Sequence, residues 1–333
     1  MPQKTALVTG ATGFIGSRLA ESLIGEGWAL KLLVRNPDRL SPLLKQTEII
    51  TGDLADLDAL ARAVQSVSVV FHCAANVHTW DTQAAYRAAN VTGVENLLTA
   101  IAQENSKLSR LVHVSTVDVY GFPTQPCDET APTQESGFGY GDSKREGENI
   151  VRRLCGEQGI PFTILRPCNV IGPRSPFVER IGKELRAGLM VTIDGGKANA
   201  GLIHVSNLVD DMIWVAHAPQ AMDEIYNLRD PYDASWADFV FALRRGIKGH
   251  GVVLNLPFGV ADLLGRGFER GYAVLRLSQE PLLHRLIVRL FGRSCGHSAA
   301  KIAAHRGPST RIGFAEAIED SSRWFLEQKK RVT

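Results

Sequence analysis

Two kinds of apolar pattern alternate through roughly the first 170 residues. Short apolar runs at Thr5–Thr9, Ala29–Val34, Glu48–Thr51, Val67–Cys73, Arg110–Ser115 and Pro161–Arg166 predict buried β-strands. Between them lie stretches with helical spacing, at Phe14 to about Leu23, Ala55–Val64, Tyr86–Gln103 and Phe138–Gln158. Strands alternating with helices imply βαβ units, hence an α/β fold with a doubly wound parallel sheet. Right-handed crossovers then bring the carboxyl ends of the strands to one crevice. The pattern loosens after Pro167. Pro173, Pro176 and Asp194-Gly195-Gly196 mark loops, Ile203–Val215 and Glu224–Leu228 read as a return to the sheet, and a last amphipathic helix is expected near Phe314–Gln328. The expected organisation is a sheet unit of residues 1–167 rejoined by 203–228, with a smaller, mostly helical region of 168–202 and 229–333.

The turn after the first strand reads Thr9-Gly10-Ala11-Thr12-Gly13-Phe14-Ile15-Gly16, with glycines at i, i+3 and i+6. Gly10 permits a tight turn, Gly13 lets the backbone approach a pyrophosphate, and Gly16 lets helix and strand pack closely. Free N–H groups at the helix start, around Thr12, Phe14 and Ile15, favour the anion. A glycine triplet set between a strand and a helix in this way predicts a dinucleotide site.

Composition adds little that competes with this picture. The chain has 333 residues, a formal charge of +2 and 44 % apolar residues. The charge gives no reason to expect nucleic acid as a partner. From Arg266 to Arg311 basic residues far outnumber Glu269 and Glu280, which reads as a solvated face. Five cysteines without C-x-x-C spacing, Cys73, Cys127, Cys155, Cys168 and Cys295, read as reduced thiols of a cytoplasmic protein. Met1-Pro2-Gln3-Lys4 runs into a strand, so no signal peptide is expected. The apolar stretch from Val252 to Leu264 is too short and interrupted to span a bilayer; core packing is its expected cause, with a hydrophobic substrate or a surface helix as the alternatives. His72, His78, His113 and His204 lack metal-ligand spacing, and no metal is expected. Trp80, Phe138 and Phe177 are candidates to line a substrate crevice, and apolar packing accounts for them equally well.

The TGATGFIG segment resembles the signature of the extended short-chain dehydrogenases/reductases, and the resemblance covers nearly the whole chain. Gly52-Asp53-Leu54 is similar to the family's adenine-contacting turn, and Cys73-Ala74-Ala75 to the small-residue wall beside the cofactor. Asn90-Val91-Thr92-Gly93 is similar to its N-V-x-G motif. Arg166-Pro167-Cys168-Asn169-Val170-Ile171-Gly172-Pro173 resembles the segment that closes over the nicotinamide. The resemblance thus implies cofactor contacts from Asp53, Leu54, Ala74, Ala75, Asn90, Pro167 and Val170. Among subgroups, Leu282-Leu283-His284-Arg285-Leu286 and Trp324-Phe325 look most like the 3β-hydroxysteroid dehydrogenase-like and dihydroflavonol reductase-like group.

At the end of the second strand an acidic residue would favour NAD, whereas this chain carries Arg35, which can meet a 2′-phosphate. The expected cofactor is therefore NADP, with NAD as the alternative. Tyr140-Gly141-Asp142-Ser143-Lys144 places Tyr140 and Lys144 on one helical face. A neighbouring ammonium is expected to lower the tyrosine's pKa for acid–base work, and the lysine can also hold the nicotinamide ribose. By resemblance the third catalytic residue is Thr116, four residues before Tyr120-Gly121, and Ser115 lines the cofactor pocket. Asp118 falls where sugar-nucleotide dehydratases carry an acid, and Asn169 matches a substrate-contacting asparagine of nucleotide-sugar epimerases. The arginine that clamps a diphosphate in those epimerases is replaced by Ala200.

The expected activity is hydride transfer between a nicotinamide cofactor and a secondary alcohol/carbonyl pair, on a small and apolar substrate. A nucleotide-sugar epimerase with tightly held NAD is the first alternative, and a non-catalytic dinucleotide sensor the second. A homodimer is compatible with this reading, and no integral membrane segment is expected.

Overall fold

Strands that are buried on both faces need apolar residues at every position, and such runs build the central sheet here. The computed structural model describes residues 4–277, 279–281 and 283–330. Met1–Gln3 and Leu282, which entered the expectations above, lie outside the described residues. The elements of the first half are β1 (Thr5–Thr9), α1 (Phe14–Gly25), β2 (Ala29–Val34), β3 (Glu48–Thr51), α2 (Leu57–Val64), β4 (Val69–His72), α3 (Gln83–Arg87), α4 (Gly93–Glu104), β5 (Arg110–Val114), α5 (Gly139–Gln158) and β6 (Phe162–Pro167). There follow β7 (Asn169–Ile171), α6 (Pro176–Ala187), β8 (Leu189–Ile193), β9 (Leu202–His204), α7 (Val205–Val215), β10 (Glu224–Leu228), α8 (Trp236–Gly246) and β11 (Val252–Leu256). The last four helices are α9 (Phe258–Val274), α10 (Arg285–Gly292), α11 (Ala300–Arg306) and α12 (Phe314–Lys330).

Seven strands pair in the order β10-β6-β5-β4-β1-β2-β3, all parallel. The chain order reverses between β1 and β4, so the crevice outside their carboxyl ends is where such sheets bind ligands. One face is covered by α1 and α7, through Leu19, Leu23, Leu208 and Met212. The other is covered by α2, α4 and α5, through Leu60, Leu97, Ile150 and Val151. A separate apolar core, centred on Trp236, Phe239, Val288 and Phe291, holds α6, α8, α10 and α12 together beyond the strand ends.

Several expectations change at this level. The helix expected over Tyr86–Gln103 starts at Gln83 and is broken by a π turn at Ala88–Thr92. Of the stretch from Ile203, only Leu202–His204 is extended, and it pairs with β7 in a small separate sheet while Val205–Val215 is helical. Phe177 packs among Trp236, Phe239 and Phe291 and belongs to the core. The apolar stretch from Val252 is core only in part, through Ala261 and through Val253, Leu256 and Phe258 packed against the same cluster. Val252, Leu254, Val260, Leu263 and Leu264 are all exposed.

The basic excess between Arg266 and Arg311 is not a freely solvated face either. Arg285 pairs with Glu269, Arg289 with Asp262, Lys301 with Glu224, and both Arg306 and Arg311 with Asp211. The partners missing from the local count come from other parts of the chain.

Candidate active site

The glycine turn between β1 and α1 is shaped by close backbone contacts. Gly10 sits at φ +74°, and a Cβ there would lie 2.8 Å from the Ala74 nitrogen. A Cβ on Gly16 would lie 2.3 Å from the Gly10 carbonyl oxygen. Gly13 caps α1 with no side-chain acceptor, so the first-turn N–H groups are free to meet an anion. Thr12, Phe14 and Ile15 are each partly open at this turn. The Thr9 hydroxyl bonds to His72 Nδ1 at 2.9 Å and accepts from the Ala74 N–H at 3.2 Å, which ties the turn to the end of β4. A cradle with free N–H donors, closed to any side chain, fits a pyrophosphate.

The other predicted contacts lie around the same strand ends. Arg35 is exposed immediately beyond β2, and the described residues give it no carboxylate partner within salt-bridge range. Arg39, which the sequence reading passed over, ends the short 3-10 turn Pro37–Arg39 that follows and is exposed too. Asp53 is exposed after β3 and accepts from the Ala55 N–H at 2.8 Å, while the Leu54 carbonyl accepts from Asn96. Ala74 and Ala75 are partly open at the end of β4. Asn90 sits in the π turn with its amide engaged: it accepts from the Asn76 N–H at 2.8 Å and donates to the Asn76 carbonyl and the Ser143 hydroxyl at 3.0 Å. Its amide holds the loop that follows Ala75. Pro167 closes β6, and Val170 is half-buried in β7.

The proposed triad comes together from β5 and α5. Thr116 follows β5, its hydroxyl accepting from the Asp118 N–H at 3.2 Å, and Tyr140 stands at the start of α5. Lys144, one helical turn after Tyr140, is buried and donates to the Val114 carbonyl at 2.7 Å. Burial pulls its ammonium down to about 8, against the favourable charges of Glu148 and Cys73. Tyr140 does not show the lowered pKa expected from the lysine. Burial, and then the charge of Asp118, push it up, and only the neighbouring Thr116 opposes them. In this arrangement Tyr140 is held as a phenol, a proton donor. Asp118 itself is pushed up to about 7 by burial. The Ser115 hydroxyl is buried and without a partner. Asn169 donates to the Ala200 carbonyl at 2.6 Å, and Ala200 is fully buried.

Lys144 also makes the stability of the chain depend on pH. A lysine with an ordinary value of 10.5 and a folded value of about 8 binds its proton less tightly when folded. Its burial therefore costs stability below about pH 8, and the cost fades as the pH rises towards 10.5. Lys144→Met is expected to raise the melting temperature of the cofactor-free chain near neutral pH while weakening cofactor binding. The gain over wild type should shrink between pH 8 and 10.5. A gain that stays constant over that range would assign the effect to packing instead.

Residues 6–228 match the NAD dependent epimerase/dehydratase family. The chain belongs to that family. It is 28 % identical over 322 residues to the 4-hydroxy-2-methyl-3-oxo-4-farnesyl-3,4-dihydroquinoline-1-oxide ketoreductase of Stigmatella aurantiaca, covering 94 % of each chain. It is 27 % identical to the UDP-glucose 4-epimerase of Vibrio cholerae, over 83 % of this chain and 85 % of that one. Among solved structures, the UDP-glucuronic acid 4-epimerase from Bacillus cereus in complex with NAD superposes with a TM-score of 0.77. That match is at 20 % identity and covers 97 % of this chain and 99 % of that chain. The extended short-chain dehydrogenase/reductase resemblance is thus upheld, and family members of this type are enzymes that work with a nicotinamide dinucleotide. Among the described residues no helix is long and apolar enough to cross a membrane.

The sequence reading missed a buried network beneath the triad. Arg166 and Glu148 form a fully buried ion pair at 2.6 Å, Arg166 donates to the Tyr120 hydroxyl at 2.8 Å, and Tyr120 bonds to Asn227 at 2.8 Å. Glu148 lies one turn beyond Lys144, a spacing that could have signalled it. His72 and His113 stack at 5.3 Å, with both ring nitrogens of His113 unpartnered.

Proposed function

We propose that this protein is a reductase/dehydrogenase that uses NADP(H) to interconvert a secondary alcohol and its carbonyl compound in an apolar substrate. The observation that carries the reading is Thr116 at the carboxyl end of β5 together with Tyr140 and the buried Lys144, one turn apart on α5, the helix that follows. The cradle of Gly10, Gly13 and Gly16 would hold the pyrophosphate, with Thr12, Phe14 and Ile15 beside it. Asp53 and Leu54 would hold the adenine end, and Ala74, Ala75, Ser115, Pro167 and Val170 the nicotinamide end. Asn90 would act by holding the wall in place. Residues 1–167 with 203–228 would form the dinucleotide unit, and 168–202 with 229–333 the substrate region.

The nicotinamide, when bound, supplies or takes up the hydride. In reduction Tyr140 gives its proton to the substrate oxygen and Thr116 donates a hydrogen bond to the same oxygen. Burial keeps Tyr140 protonated for that task. Lys144 would hold the ribose and favour the phenolate left behind. Asp118 and Asn169 would stand at the substrate side.

Two features support an apolar substrate over a nucleotide sugar. The position at which epimerases clamp a diphosphate carries buried Ala200, and the Asn169 amide is already bonded to its carbonyl. The ketoreductase relative, by its name, acts on a farnesyl-bearing ring. A screen of cofactor oxidation across ketones, aldehydes and nucleotide sugars tests the proposal. Turnover of apolar ketones supports it, whereas micromolar stabilisation by a UDP-sugar with tightly retained NAD would make the epimerase reading the better one.

Arg35 carries the choice of NADP. It is expected to meet the 2′-phosphate, and Arg35→Asp should weaken NADPH binding about tenfold or more while sparing NADH. Fluorescence titration of both cofactors checks this. Equal losses for NADPH and NADH would show that Arg35 does not read the phosphate.

A further inference from the structure

Helix α9 presents its apolar side to solvent. Ala261 and Gly265 are its only buried residues. The flank that meets the protein carries Asp262 and Glu269, which pair with Arg289 at 3.2 Å and Arg285 at 2.7 Å, both on α10. At about 100° per residue, Val260, Leu263, Leu264 and Val274 fall together with Gly267 and Gly271 in an arc of roughly 100°. That arc is opposite the buried line, and Leu263 is 71 % and Val274 82 % exposed. No charged residue lies within it. Phe268 and Leu275, both exposed, extend one edge, and Arg266 and Arg270 line the other.

A helix on the surface of a globular protein ordinarily turns its apolar stripe to the core. Here ion pairs do the anchoring and the apolar stripe faces outwards. An apolar stripe with an arginine edge is the pattern of helices that lie in the plane of a membrane interface. We propose that this face of α9 docks the protein onto an anionic phospholipid surface.

Charge decides between a membrane and a second copy. Asp262 pairs with Arg266 of the same helix at 2.9 Å and with Arg289 at 3.2 Å, and Glu269 pairs with Arg285, so the rim of the stripe carries Arg266 and Arg270 with no exposed acid on the same helix. Two copies meeting through this stripe would bring like-charged rims together. Anionic headgroups would meet the arginines while the acyl boundary takes Leu263, Leu264 and Phe268.

The test uses the whole chain with vesicles of phosphatidylcholine alone, and of phosphatidylcholine mixed with phosphatidylglycerol. Co-sedimentation is expected to favour the anionic vesicles by about tenfold or more, and to weaken with salt. Leu263→Glu with Val274→Glu should abolish it, with melting temperature and dinucleotide affinity unchanged because both side chains are exposed. Arg266→Gln with Arg270→Gln should reduce the preference for anionic lipid. Failure to sediment with either vesicle overturns the proposal, as does equal binding to both. A dimer in analytical ultracentrifugation that the Leu263→Glu/Val274→Glu chain loses would show that a second copy covers the stripe.

Discussion

Tyr140→Phe is expected to lower turnover by about a hundred- to ten-thousand-fold, the usual range for loss of a general acid. Dinucleotide affinity should be unchanged, because the cradle and Lys144 are the groups proposed to hold the cofactor. The substitution keeps the ring and removes only the hydroxyl. Thr116→Val should cost less, since Tyr140 still serves the substrate oxygen when one neutral hydrogen bond is gone. The measurement is single-turnover reduction of a working substrate together with NADPH titration. A Tyr140→Phe enzyme that keeps most of its rate would refute the proton-donor role and leave Asp118, pushed up to about 7, as the remaining acid in the pocket.

The second large effect concerns stability. Glu148→Gln is expected to destabilise the fold by about 3–5 kcal/mol, because it leaves the Arg166 guanidinium buried without its carboxylate. Both side chains are 2 % exposed, so water cannot take the lost partner's place. Arg166 is also stacked 4.9 Å from the Tyr120 ring, which extends the damage to the segment after Thr116. Differential scanning calorimetry should record a melting temperature lower by on the order of 10 °C. Replacing both partners together, with Glu148→Leu and Arg166→Met, should recover much of the loss, since no orphaned charge remains. A single variant as stable as wild type would mean that the pair is solvated in solution. Glu148 also favours the Lys144 ammonium, so in Glu148→Gln the lysine should titrate lower still, an effect that a merely structural role would not produce.

The central sheet was legible because strands buried on both faces are continuous apolar runs, and such runs need no knowledge of their neighbours. All six expected strands of the first half match to within about two residues at each end, and Thr5–Thr9, Ala29–Val34 and Glu48–Thr51 match fully. The glycine cradle was legible for a related reason. Gly10, Gly13 and Gly16 act through local backbone geometry, and the spacing that produces it is written in adjacent residues. Tyr140 and Lys144 share a helix, so their common face also follows from sequence distance.

Tertiary structure alone decided what each apolar or charged side meets. Helical spacing over Phe258–Val274 announces an apolar stripe, but whether that stripe faces the core depends on α10, which holds the opposite flank through Asp262 and Glu269. The pairing of β9 with β7 depends on how the chain returns from residues 172–201, which no local pattern specifies. The raised pKa of Tyr140 has the same origin. Sequence distance placed Lys144 one turn away, while burial and the carboxyl of Asp118, a residue from a different element, set the balance. Arg166 and Glu148 lie 18 residues apart on a strand and a helix, and only the packing of α5 against β6 makes them partners. Periodicity fixes which side of an element is apolar. The choice of neighbour, and with it burial, charge pairing and pKa, is made by contacts that sequence distance does not encode.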